Sequence, residues 1–293
     1  FTLQLLHASD LEGGVDAIQR APAFAALVDE FRTEASVDGT VLISAGDNVI
    51  PSPFYNAARL VDDQDFSDVY NALFDAGYES LEADRGRIDV TIMNILGFDA
   101  SAVGNHEFDQ GPDGLANIVA EALGEEDGFA DDEWVGALFP YLSANLDFSA
   151  DGDLADLFTD EIRETETFAD RTTEGPKIAE AAVIVEGGER IGVVGATTQI
   201  VSTISSTGDV VDETGGVVNM TALAAELQPV IDDVVDGADD TLGTADDVNK
   251  IVLTSHLQQI ALETELAGLL DGVDVIIAGG SDTRLVSNAD NLN

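Results

Sequence analysis

ASAVGNHEFD, residues 100–109, joins a short apolar run to a turn that carries Asn, His, Glu and Asp in close succession. Ala100–Val103 reads as a buried strand, and the chemistry begins directly behind it at Gly104-Asn105-His106. The same arrangement recurs outward along the chain. In HASDLEGG (7–14), Asp10 and Glu12 follow the apolar run Leu3–Ala8, and Gly46-Asp47 follows Thr40–Ala45. His256 follows Lys250–Ser255, and Ser281-Asp282 follows Asp274–Ala278. Separate strands thus deliver Asp, Glu, Asn or His at their carboxyl ends, the edge where open α/β sheets bind ligands. Taken singly, a Gly-Asp behind a strand is a turn with a cap for the next helix. A lone histidine is more often hydrogen-bonded in a core than ligating a metal. The chain has only 3 histidines, however, and His106 and His256 both fall at strand ends.

Helical patterns lie between these strands. Ala17–Glu34 places Ile18, Ala21, Phe24, Ala25, Val28 and Phe31 on one face, and Met220–Val235 and Leu257–Leu270 read as full helices. Phe66–Ala76 and Val90–Leu96 are shorter helical segments, and Tyr141–Ala144 is a further strand. Such alternation predicts an α/β domain around a central buried sheet. Within Ile178–Thr198, two strand-like runs flank Glu186-Gly-Gly-Glu-Arg190, a hairpin signal, so a mixed sheet or a second sheet is expected. Residues 121–139, 147–175 and 236–247 are acidic and loop-rich, and no linker divides the chain. The expectation is one domain, 1–293, with decorated loops.

Composition narrows the functional classes. The 293 residues hold 58 Asp+Glu against 11 Lys+Arg, a formal net charge of −47. Such a surface repels phosphate backbones and anionic lipid, which excludes nucleic-acid or membrane binding by charge. It suits a saline medium, where screening removes the self-repulsion. Cysteine is absent, so there are no disulfides and no thiolate metal sites. No apolar run approaches a membrane span. Because the chain starts at Phe1 rather than Met, it reads as processed, with a signal peptide removed and an extracellular or periplasmic location.

GNHEFD (104–109), with AGDN (45–48), LTSH (253–256) and HASDLEGG, resembles the motif blocks of the calcineurin-like metallophosphoesterase superfamily, closest to its 5'-nucleotidase and alkaline-phosphatase branch. GNHEFD matches its block residue for residue, and IIAGGSDT (276–283) stands where the family has Gly-His-x-His. YLSANLDF and IGVVGATT also resemble family strands, and the blocks keep family order over nearly the whole chain. The resemblance implies a four-layer α-β-β-α sandwich with mixed sheets and two divalent ions at the strand ends. Carried over by position, Asp47 bridges both ions, with Asp10, Glu12 and Asp282 at the first and Asn105 and His256 at the second. His106, oriented by Asp109, contacts the phosphate with Asn105 and protonates the leaving group.

The chain departs from that pattern at three histidine positions, occupied by Glu12, Gly280 and Asp282. Carboxylates in place of imidazole predict a hard first ion (Ca, Mn or Mg), with Zn, Mn, Fe or Ca at the second. Gly280 offers no side chain, so the second ion needs water or a backbone carbonyl there. Arg284 could restore positive charge toward phosphate; pairing with one of many acids is the plainer reading. Asp236, Asp239, Asp240, Asp246 and Asp247, spaced around glycines, form either an additional calcium loop or a solvated acidic loop.

Two functions follow. One is hydrolysis of small phosphomonoesters or nucleotides. The other is a catalytically inactive, cation-binding structural or assembly module that keeps the fold. In the nucleotidase branch a separate C-terminal domain holds the base, and a domain or assembly partner of that kind would lie outside this chain.

Overall fold

The computed structural model describes all residues except 12–14, 79, 123–132, 170–174, 238–243, 245–246, 282 and 284–293, and gives residues 15–18 as backbone only. Among the described residues the strands are β1 (Leu3–His7), β2 (Gly39–Ser44), β3 (Ala100–Ala102), β4 (Tyr141–Leu142), β5 (Leu146–Asp147), β6 (Phe158–Thr159), β7 (Arg163–Glu164), β8 (Ile178–Ala179), β9 (Ala181–Glu186), β10 (Glu189–Thr197), β11 (Val211–Asp212), β12 (Ile251–His256) and β13 (Val275–Gly279). The helices are α1 (Val15–Arg32), α2 (Pro53–Ala57), α3 (Asp63–Phe74), α4 (Arg87–Leu96), α5 (Gly111–Val119), α6 (Val201–Ile204), α7 (Met220–Asp236) and α8 (Ile260–Leu266).

Two main sheets form. The first runs β1-β2-β3-β4-β8-β6 and is parallel at every pairing. The second runs β13-β12-β10-β9-β7 and is mixed, because β9 and β10 are the antiparallel hairpin signalled by Gly187-Gly188. Period-two alternation explains the layering. On β2, Val41 and Ile43 point into an apolar layer shared with Ile191, Val193, Val252 and Ile277 of the second sheet, while Leu42 points the other way. That outward side is covered by Val28 of α1, Tyr70 of α3, Met93 of α4 and Ile118 of α5. The far side of the second sheet is covered by Leu223, Leu227, Ile231 and Val234 of α7 and Leu266 of α8. Helix, sheet, sheet, helix is therefore the order of layers.

The sheets approach closely at Gly195, where a Cβ would lie 2.2 Å from the backbone of Leu142. Two buried hydroxyls also tie them together near their carboxyl ends. Thr254 Oγ1 donates to Ser44 O at 2.8 Å, and Thr197 Oγ1 donates to Val103 O at 2.7 Å. These bonds fix the relative height of the turns that follow β2, β3 and β12.

Two sequence expectations are redrawn. The helix read over Leu257–Leu270 begins only at Ile260, because Gln258 has φ of 71° and interrupts the helical path. Part of the acidic segment 121–139 is core, since Trp134, Val135, Ala137 and Phe139 are buried. Lys177 holds this region. It pairs with the buried Glu121 and donates to Ala137 O at 3.0 Å and Phe168 O at 2.6 Å.

Candidate metal centre

The turns behind β1, β2, β3, β12 and β13 meet at one end of the two sheets. Asp10 and Asp47 both adopt left-handed backbone conformations, with φ of 51° and 54°. Side chains rarely tolerate this outside functional or tightly held turns. Here it turns both carboxylates across the sheet ends. The Asp10 backbone N–H donates to Gly46 O at 3.0 Å, and the Asp10 carboxylate accepts from Gly280 N–H at 3.0 Å and from Ser9 Oγ at 2.6 Å. Asp10, Asp47 and His256 each present a ligand atom, and these atoms lie within 4.8 Å of one another.

His256 is wholly buried. Its Nδ1 lies 2.7 Å from the carbonyl of Ala45, which can only accept, so Nδ1 carries a hydrogen. Its Nε2 lies 2.9 Å from Asp47 Oδ2 yet has no partner in hydrogen-bond geometry. An imidazole lone pair facing a carboxylate is repulsive unless a proton or a cation lies between them. Burial alone would lower the histidine, but Asp47 outweighs it and raises the pKa to about 9. A divalent ion would satisfy both groups without that proton, so the orphaned Nε2 fits a metal ligand.

Asn105 and His106 enter from the turn behind β3. Backbone N–H of His106 donates to Asp47 Oδ1 at 2.8 Å, and His106 Nδ1 lies 2.6 Å from Asp109 Oδ2. Burial lowers His106, but the Asp109 bond prevails and its pKa is raised. The fold brings Asp10, Asp47, Asn105, His106, Asp109 and His256 to one end of the sheets. Glu12, Asp282 and Arg284 lie outside the described residues, as do Asp239, Asp240 and Asp246 of the acidic loop. Asp236 closes α7, and Asp247 accepts from Thr244 N–H at 3.2 Å.

Two residues given no role by the sequence reading also belong to the site. Glu107 is buried, and its carboxylate accepts from the backbone N–H groups of Asp47 at 2.9 Å, Asn48 at 2.8 Å and Gly104 at 2.8 Å. It clamps the turn behind β2 to the turn behind β3, and burial, with Asp47 beside it, raises its pKa to about 7. Its signal was present inside GNHEFD as a carboxylate with no assigned task. Gln258 donates from Nε2 to Asn105 Oδ1. Nothing in the sequence announces that a glutamine would take a left-handed turn.

The chain is 28% identical over 220 residues to the trifunctional nucleotide phosphoesterase protein YfkN of Bacillus subtilis (strain 168), covering 73% of this chain and 14% of that protein. It is 28% identical over 270 residues to a probable 5'-nucleotidase of Treponema pallidum (strain Nichols), covering 92% of this chain and 32% of the other. Among solved structures, a 5'-nucleotidase precursor from Thermus thermophilus superposes with a TM-score of 0.59 at 25% identity, covering 99% of this chain and 44% of that one. No protein-family model matches the chain. The chain thus spans less than half the length of each of these proteins.

Two packed sheets that gather Asp, Asn and His at their carboxyl ends, with these relatives, make the chain similar to the calcineurin-like metallophosphoesterases. Its relatives are 5'-nucleotidases and a nucleotide phosphoesterase, consistent with the 5'-nucleotidase branch of that superfamily.

Proposed function

We propose that the protein hydrolyses phosphomonoesters at a divalent-metal centre built on Asp10, Asp47, Asn105 and His256. The observation that carries this reading is the buried His256 Nε2, 2.9 Å from Asp47 Oδ2 but outside hydrogen-bond geometry, and within reach of Asp10. Ions bound there would neutralise phosphate charge and lower the pKa of a bound water to that of a usable nucleophile. The chain's own groups do the rest. Asp47, locked by the Glu107 clamp, holds a carboxylate at the centre of the site. His106 has Nδ1 engaged with Asp109, so Nε2 is its one ring nitrogen left for a proton transfer to the leaving oxygen. Asp109 fixes the ring's orientation and favours the protonated form that a general acid needs.

Glu12 and Asp282 would add two carboxylates to this centre and bias it toward a hard ion such as calcium, manganese or magnesium. A more acidic shell lowers the electrophilicity of the ions and the affinity for phosphate. The relatives' names point to nucleotides as substrates, and nucleotides are therefore proposed alongside simpler esters. An extracellular, saline setting agrees with the net charge of −47.

The test is turnover of p-nitrophenyl phosphate by protein stripped with EDTA and then given Ca, Mn, Mg or Zn. Activity that returns with a hard ion is expected. If no ion restores it, the protein is the inactive cation-binding module instead; if only Zn does, the hard-ion assignment fails.

A further inference from the structure

The chain carries 58 Asp+Glu against 11 Lys+Arg, so a sheltered cation without a carboxylate needs explaining. Among the described residues, Arg87, Arg163, Lys177, Arg190 and Lys250 are buried or half-buried, and each pairs with a carboxylate. Arg85 is half-buried too, yet it makes no ion pair or hydrogen bond to a described residue, and its Nε is covered without a partner. A sheltered donor left unpaired costs stability, so what this guanidinium faces matters.

Arg85 lines a cleft of about 380 Å³ between α2, the entry to α4, and α5, a size typical of small-molecule sites. Tyr55, Asp84, Gln110, Asp113 and Asn117 line it as well. Because Nε is covered, the terminal nitrogens of Arg85 are the donors that a ligand could reach. Asn117 is already committed: its Nδ2 donates to Asp84 Oδ2 at 3.2 Å, and its Oδ1 accepts from Arg87 at 2.9 Å. Gln110 Nε2 donates to Asp109 O at 3.1 Å, which leaves its side-chain oxygen as an acceptor. The cleft thus offers one strong donor, Arg85, and carboxylate acceptors from Asp84 and Asp113.

Its place beside the metal centre is set by α5. Tyr55, Gln110 and Gly114 line this cleft and also the narrow gap beside His106 and Asp109. Tyr55 senses both: burial pushes its phenol up to about 12, Arg85 pulls it down, and Asp84, Asp89 and Asp109 add to the rise. The cleft therefore adjoins the His106–Asp109 pair, to which the leaving oxygen is assigned above.

Charge decides the ligand class. An anionic group would meet Asp84 and Asp113 as well as Arg85, two carboxylates against one guanidinium. A cation would meet Arg85. Neighbouring hydroxyls suit both, since each can accept from the guanidinium and donate to a carboxylate. Resting on the phosphoesterase reading above, we propose that this cleft holds a sugar-like leaving group, with Arg85 donating to its hydroxyls and Asp84 and Asp113 accepting from them. Preference for esters of polyhydroxylated alcohols over plain aryl phosphates is then built into this chain.

Two measurements on Arg85→Met test this. The variant loses no ion pair, so it should melt at the wild-type temperature or above. Saturation-transfer NMR with ribose as the probe should give a signal from wild-type protein and none from the variant. With the metal ion that supports turnover, kcat/KM for ribose 5-phosphate relative to p-nitrophenyl phosphate should fall about tenfold or more in the variant. The proposal is overturned if ribose gives no transfer from wild type, if the variant keeps the signal, or if the ratio is unchanged. Transfer to ribose that depends on Arg85, in a protein that hydrolyses neither ester with any ion, would refute the phosphoesterase reading alone and uphold the cleft as a sugar site.

Discussion

Gly104→Ala is the most demanding test of the site's geometry. Gly104 does not need glycine for its backbone, since its φ is not in the left-handed region, so alanine acts only through its added methyl. That Cβ would lie 2.2 Å from Asp47 Oδ1, 2.6 Å from Asp47 N and 2.8 Å from Glu107 Oε2. Reaching an ordinary contact of 3.4 Å from Oδ1 requires about 1.2 Å of movement by the Asp47 carboxylate or the turn that carries it. Neither can yield freely. Asp47 N–H and Gly104 N–H share the same Glu107 oxygen, at 2.9 and 2.8 Å, and Asp47 Oδ1 also accepts from His106 N–H at 2.8 Å. Overpacking of this kind costs about 1–3 kcal/mol of stability. A misplacement of about 1 Å in a reacting centre costs on the order of 100-fold in rate. The assay is manganese stoichiometry together with kcat/KM for p-nitrophenyl phosphate. Gly77→Ala is the control, because a Cβ there meets nothing within 4 Å. Retention of the wild-type manganese content and a kcat/KM within about threefold of wild type in Gly104→Ala would refute the claim that these two turns are closely packed around Asp47.

Other outcomes follow from individual groups. Asp109→Asn should keep the metal content but lower kcat by about 100-fold or more, because the His106 ring loses its carboxylate partner at 2.6 Å; metal analysis beside kinetics separates the two effects. Asp89 is buried with one oxygen unpartnered, and burial raises its pKa from 3.8 to about 7. A raised carboxyl contributes its stability below about pH 4 and loses it as pH rises through 7. Asp89→Asn should therefore match wild type in melting at pH 4 and exceed it at pH 8, by at most about 4 kcal/mol. Lys177→Met should cost about 3–5 kcal/mol in urea unfolding, because it leaves the Glu121 carboxylate buried without its cation.

What could be read from the chain in advance follows from period and position. The strands β2, β12 and β13 are long enough for an apolar run to declare them, and the hairpin of β9 and β10 is announced by its paired glycines. Strands of two residues, such as β7, β8 and β11, carry no period at all and exist only because a neighbour pairs with them. Trp134 and Phe139 are buried although the stretch before them is acidic, because tertiary contact rather than local pattern recruits them. At the site, Asp47, Asn105, His106 and His256 were legible since they follow recognisable strands. Glu107 acts through backbone amides whose convergence depends on the fold, and Gln258 depends on a dihedral angle that its residue type argues against. Both are products of packing, so spacing could not have revealed their tasks.

The central claim concerns what lies between Asp47 and His256. A crystal of the protein grown with manganese, measured at the manganese absorption edge, tests it directly. The expected result is an anomalous peak bonded to Asp47 and to His256 Nε2, with the two side chains drawn apart from their 2.9 Å approach to admit it. An Asp47–His256 pair still in direct contact, with no peak beside it at saturating manganese, would contradict the claim.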